Sequence, residues 1–209
     1  MNARLLPWLF RDEIFRIETS RLWLRWPRLD DCEALQAIAA RKDIATMTAS
    51  WPHPLPEGEA LRRIEGIRRA NASGAGIALA ITRKVNPGRL IGTVGAHVRP
   101  DGALGLGYFL ETGNQGRGLM TEAVRALVFT LFSHAPHEVI SASSRIINPG
   151  SRRVLEKSGF VPTGCERIET SARGAIEVET FALSREAWRR SLVTARAAAL
   201  IAGGEARVA

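Results

Sequence analysis

The chain has 209 residues, 45% apolar and 24% charged, which suits one folded domain and excludes a mainly disordered chain. Gly and Pro follow no triplet period, and no run reaches the roughly 18 uninterrupted apolar residues of a membrane helix. Lys and Arg outnumber Asp and Glu by 29 to 21, a net charge of +8. Such a balance draws anions (nucleic acid, an acidic membrane or a phosphorylated small molecule) or only keeps a basic surface solvated.

Residues 1–14 are amphipathic but broken by Pro7, Arg11 and Asp12, and no cleavage site follows an apolar core. They read as an N-terminal extension rather than a secretory signal, and a cytoplasmic chain is expected. Residues 16–26 alternate, Leu22 and Leu24 against Trp23 and Arg25, as a strand does. Asp30 and Asp31 open a helix carrying Leu35 and Ile38, since carboxylates suit that end of the dipole. Residues 44–56 hold Pro52, Pro54 and Pro56 and read as a loop; a basic amphipathic helix follows over about 57–71. Strands are expected over 76–84, 90–98 and 103–111, divided by turns at Asn86-Pro87-Gly88 and Pro100-Asp101-Gly102, giving an antiparallel meander.

A polar, Gly-rich loop then runs from Gly113 to Gly118 and leads into a helix over about 118–133. A strand over 138–146, a short helix after Asn148, and strands over 160–169 and 175–183 complete the pattern. The reading is an α/β chain (α+β by some schemes): seven strands in a mixed, mostly antiparallel sheet, helices on both faces, and one βαβ crossover. Residues 185–209 are an Ala- and Arg-rich tail suited to contacts between subunits, which leaves a homodimer open. Cys32 and Cys165 lie outside any CxxC pattern, so a disulfide scaffold is not expected.

The strand, Gly-rich turn and helix around Gly116 and Gly118 could only reverse the chain, or could bind phosphate. The first amides of a helix lack internal partners and favour anions, and glycine lets a ligand approach the backbone. The loop is neither a Walker A loop nor a dinucleotide fingerprint.

Gln115-Gly116-Arg117-Gly118-Leu119-Met120 resembles the Q/R-x-x-G-x-G/A coenzyme A loop of the GNAT acetyltransferases. RIETSRLWLRWPRLDD at 16–31 resembles the opening of their RimJ/RimL-type branch, and LGYFL at 106–110 its central strand. The stretch from Asn148 to Phe160 is similar to that branch's N-x-x-S-x-x-x-x-x-K-x-G-F signature. The resemblance covers about residues 16–184 and places an N-acetyltransferase domain at 15–184.

It implies a GNAT fold with a splayed βαβ cofactor site, acetyl-CoA as cosubstrate and no metal. The reaction is acetyl transfer to a primary amine, either a protein N-terminus or a small molecule, by direct attack in a ternary complex. Partners beyond the cosubstrate and amine, such as a membrane or a specific nucleic acid, are not expected. Cofactor contacts are expected from Phe109, Leu110 and Glu111, from Gln115, Gly116, Arg117, Gly118, Leu119, Met120 and Thr121, and from Asn148 and Arg152. Met120 departs from the family's usual Gly or Ala, so its side chain must turn away from the diphosphate or narrow the site.

The resemblance also implies a bulge in the central strand, with Gly105 and Gly107 compatible and a freed N–H near Leu110 polarising the thioester carbonyl. Asn148 before Pro149 is a good helix N-cap whatever else it touches. Ser151 is a candidate proton donor to the thiolate, or a first-turn serine bonded to backbone. Tyr108 is the single tyrosine, either an acid or packing. Glu111, Glu166, Glu169 or a water relay could act as base, with none identified. His53, His97, His134 and His137 show no metal-ligand spacing. Two other classes remain: a non-catalytic acyl-CoA sensor, and a basic nucleic-acid binder for which no motif is visible.

Overall fold

The computed structural model describes residues 6–99 and 101–194. Its sheet has eight strands in the order β1-β2-β3-β4-β5-β6-β8-β7: β1 (Arg16–Glu18), β2 (Leu22–Arg25), β3 (Gly76–Arg83), β4 (Asn86–Val98), β5 (Leu104–Leu110), β6 (Val139–Arg145), β7 (Val161–Thr170) and β8 (Gly174–Ser184). Every neighbouring pair is antiparallel except β5 and β6. The count is eight rather than seven because the single strand expected over 16–26 folds back at residues 19–21 and pairs with itself, Ile17 opposite Leu24.

Two layers of helix cover the sheet. On one face α1 (Cys32–Ala39), α2 (Lys42–Met47) and α3 (Glu59–Ser73) bury Leu35, Ile38, Ile44 and Ile64 against Ala80, Leu90 and Phe109. On the other, α4 (Leu119–His134) and α5 (Pro149–Lys157) close the larger core with Val124, Leu127, Leu131 and Leu155. Strand alternation divides β5 between them: Leu104, Leu106 and Leu110 face α4, and Phe109 faces Trp51 edge-on, ring centres 5.7 Å apart.

Three local expectations are corrected and a fourth is refined. Residues 44–56 are not all loop, because Lys42–Met47 forms α2 before the prolines begin. The turn expected at Asn86-Pro87-Gly88 falls at Lys84-Val85, and the proline lies in an irregular stretch where Thr82 pairs with Leu90 but Arg83 with Asn86. A proline without an N–H is tolerated at such a bulge. Asp31 stands at the N-cap of α1 as expected but bonds none of its amides; it accepts both Nη groups of Arg25 at 2.7 and 2.8 Å, nearly free of solvent. The bulge expected in β5 is absent: its register with β4 is regular from Leu104 to Leu110. Gly105 has a packing reason instead, since a Cβ there would come within 2.5 Å of the His97 ring.

The flanks belong to the same core. Leu6 and Phe10, beside the 3-10 turn Trp8–Arg11, are fully buried against it. Residues 185–194 are helical; Trp188 packs on Phe132, and buried Arg185 donates to the carbonyls of Phe132, Ala135 and His137, capping α4. The rest of the expected tail lies outside the described residues.

Candidate active site

β5 and β6 are the centre of the site. They pair in parallel only from Leu104–Leu106 to Ile140–Ala142, and beyond that the strands part. The N–H of Glu111 bonds the carbonyl of Ile91 on β4 at 2.8 Å. Because successive residues in a strand face opposite edges, the N–H of Leu110 points into the opening beside β6. This splay is the expected one, reached without a bulge. The Leu110 carbonyl shares that edge and accepts from Gln115 Nε2 at 2.8 Å, so Gln115 fills in for a missing strand partner.

The loop then turns through Gly116 and Gly118, both at φ +74°. No hydrogen bond within the described residues engages the backbone N–H groups from Gly116 to Thr121; the first intrahelical bond is Glu122 N–H to Gly118 at 3.0 Å. That row of bare amides lies where the helix dipole is positive. Leu119 and Met120 send their side chains into the core, at 2% and 7% exposure. Met120 therefore does not narrow the anion site. Arg117 is exposed and its side chain has no partner among the described residues.

Beside the loop lies a groove of about 600 Å³, lined by Thr19, Arg21, Gly118, Thr121, Arg125 and Lys157 among others. Its walls are tied together by one carboxylate that sequence reading missed. Glu122 Oε1 accepts from Thr19 Oγ1 at 2.6 Å, Ser20 Oγ at 3.0 Å and Arg21 N–H at 2.9 Å, while Oε2 accepts Arg21 Nε at 2.6 Å. Burial raises this acid, but the combined donors hold it at about 2.

Across the opening, Asn148 caps α5 by accepting Ser151 N–H at 3.0 Å, and its Nδ2 donates to Met47 O at 3.1 Å. Tyr108 Oη lies 3.0 Å from Ser151 Oγ and donates to Ser151 O at 3.1 Å. Burial pushes this phenol up to about 12, with the serine contact opposing. Three side chains hold the end of α2 and the segment after it over the mouth: Arg145 donates to Thr46 O, Asn148 to Met47 O, and Arg173 to the carbonyls of Ala45, Thr48 and Trp51. Arg145 and Arg173 were not picked out in the sequence, because their acceptors are backbone atoms about a hundred residues away.

Three expected site residues are otherwise engaged. Glu111 is clamped by Arg89 at 2.5 and 2.9 Å, and that bond lowers its affinity for a proton. Arg152 is paired with Glu156 and Glu179, both at 2.8 Å, away from the loop. Phe109 turns its ring toward Trp51, and its backbone N–H and C=O face β4 rather than the opening. Glu166 is exposed on the edge strand β7 with no ion pair among the described residues, and Glu169 is likewise exposed. Among the described residues no cluster of His, Cys, Asp or Glu could hold a metal, and no helix is long and apolar enough to cross a membrane.

A splayed parallel pair joined through a naked helix N-terminus defines an acyl-CoA transferase fold. Residues 21–161 match the Acetyltransferase (GNAT) domain, and the chain belongs to that family. It is similar to "Probable N-acetyltransferase YjcK" of Bacillus subtilis (strain 168), 42% identical over 92 residues, 43% of this chain and 51% of that protein. It is also similar to the ribosomal-protein-serine acetyltransferase of Escherichia coli (strain K12), 30% identical over 60 residues, 29% of this chain and 34% of that one. The matches thus span about half the length of the first and a third of the second. Among solved structures, RimL, a ribosomal α-N-protein acetyltransferase in complex with coenzyme A, superposes with a TM-score of 0.69 at 20% identity. That likeness covers 81% of this chain and 98% of the other, and shows the shared fold.

Proposed function

We propose that the chain transfers acetyl from acetyl-CoA to a primary amine by direct attack in a ternary complex. The observation that carries this reading is the row of unpartnered amides from Gly116 to Thr121 beside the splay of β5 from β6. Those amides suit a diphosphate, with Arg117 free to add charge. The basic groove with Arg125 and Lys157 takes the nucleotide end. The pantetheine arm enters the splay as a surrogate strand against β5. The N–H of Leu110 then polarises the thioester carbonyl, and the amine enters from the side of Trp51 and Arg173.

The site supplies positioning more than acid–base power. A phenol at about 12 does not give up its proton to a thiolate, whose conjugate acid is near 8.5. Tyr108 and Ser151 instead stabilise the departing thiolate by hydrogen bonding, and the proton it finally takes comes from the attacking amine. Glu111, held ionised by Arg89, is a poor base, so the amine loses its proton through water. An α-amino group, near 8, is already partly neutral at physiological pH, whereas a lysine-type amine near 10.4 is not. This favours a protein N-terminus as acceptor, the kind of substrate that the name of RimL gives for that protein. Such a pair of substrates meets in the cytoplasm. We assign the transferase domain to 15–184, with residues 6–11 and 185–194 packed on it as structural parts.

The test is CoA binding by calorimetry together with thiol release on N-terminal serine peptides. Gly118→Asp places an anion in the diphosphate site and abolishes CoA binding while a cooperative thermal transition persists. Undiminished CoA affinity in that folded variant refutes the placement. Tight CoA binding with no thiol release on any amine makes the chain a sensor instead.

A further inference from the structure

We infer that Glu122 and Arg21 are positioning residues that aim the diphosphate-binding amides, an inference that rests on the acetyl-CoA reading above. Arg21 Nη1 donates to the carbonyl of Arg117 at 2.9 Å. A trans peptide is planar, so its C=O and the next N–H point in opposite directions. Holding the Arg117 carbonyl toward Arg21 therefore turns the Gly118 N–H the other way. Gly118 sits at φ +74°, where the backbone has glycine's freedom and the peptide plane would otherwise be loosely set. The guanidinium is itself fixed: its Nε is 2.6 Å from Glu122 Oε2, and its own backbone N–H is 2.9 Å from Oε1.

The carboxylate also needs its partner. Glu122 lies in the first turn of α4, lining the same groove as Gly118 and Thr121, and an uncompensated anion there would repel a diphosphate. Arg21 cancels that charge, and Thr19 and Ser20 take the remaining lone pairs. The turn between β1 and β2 is thereby pinned to the loop, 96 residues away in sequence, and to the first turn of α4, 101 residues away. Glu122 touches neither thioester nor amine in this arrangement; it acts through Arg21, and Arg21 through the Arg117–Gly118 peptide.

The discriminating experiment compares acetyl-CoA with acetyl-pantetheine, which carries the same thioester and no diphosphate. In Glu122→Gln the amide NH2 opposes a donor of Arg21 in either orientation, Nε or the backbone N–H, and the charge that holds the guanidinium is gone. The ratio of kcat/KM for acetyl-CoA to that for acetyl-pantetheine then falls about tenfold, the size of one lost charge-assisted hydrogen bond. Arg21→Gln lowers the same ratio by at least as much, because it also leaves the Glu122 charge uncompensated beside the diphosphate, and the double variant falls no further than Arg21→Gln alone, as for residues acting as a unit. An unchanged ratio, with both substrates losing equally, shows a merely structural role and overturns the inference. Additive losses overturn it too. Calorimetric affinity for CoA, measured without acceptor, keeps the two readings apart. A wild-type chain that binds CoA but acetylates no amine overturns the transferase reading alone, and the clamp is then supported or refuted by CoA affinity in the two variants.

Discussion

Tyr108 is the chain's single phenol, and its two contacts to Ser151 decide what it can do. Replacing it with Phe removes a donor from the developing thiolate; kcat falls about tenfold to a hundredfold, with KM for acetyl-CoA little altered. Because burial keeps the phenol protonated up to about 12, the wild-type rate shows no downturn near pH 10, where an unshifted tyrosine would ionise. A break at pH 10 that vanishes in Tyr108→Phe would contradict this. Residues whose work is local were legible: Asn148 before Pro149 announces a helix cap, and it is one. Glu122 was invisible because each of its partners sits at least 101 positions away, and a glutamate in a first turn looks like any other. Arg152, on α5, misled for the same reason, since its second partner, Glu179, lies on β8.

Among elements, the end of α2 and the segment after it are held by side chains from the far half of the chain rather than by their own packing alone. Arg173, in the turn between β7 and β8, donates to three of their carbonyls. Substituting Arg173 with Ala frees those carbonyls to water, so hydrogen exchange over residues 44–51 accelerates and KM for the amine rises while CoA affinity holds. Unaltered exchange there would show that Trp51 and Phe109 suffice to seat the segment. Long periodic elements such as α4 were readable, because their burial follows the helical repeat. α2 was not: a helix of six residues beside a proline-rich stretch has too few turns to show a period. The irregular start of β4 hid behind Asn86-Pro87-Gly88, a turn sequence that tertiary pairing converts into part of a strand.

For the whole molecule, acid is the revealing stress. The Arg41 hydrogen bond, with one from Thr112, holds Asp43 at about 2, and Glu122 lies there too. Groups lowered on folding favour the native state above their unfolded pKa, and lose that contribution as pH falls toward the folded one. Thermal stability therefore declines between about pH 4.5 and pH 2, and Glu122→Gln has a shallower profile in that window. Parallel profiles would mean that the carboxylate keeps its interactions when unfolded.

The strand order has a practical corollary for anyone trimming the gene. The recognisable signature stops at residue 161, yet β8 is threaded between β6 and β7 and arrives last. A fragment cut to 21–161 would retain the anion loop intact while stripping β6 of its neighbour, α4 of its Arg185 cap, and the core of Leu6 and Phe10. The packed unit is larger than the matched stretch, so the 21–161 fragment is expected to lose the cooperative thermal transition that the full chain shows.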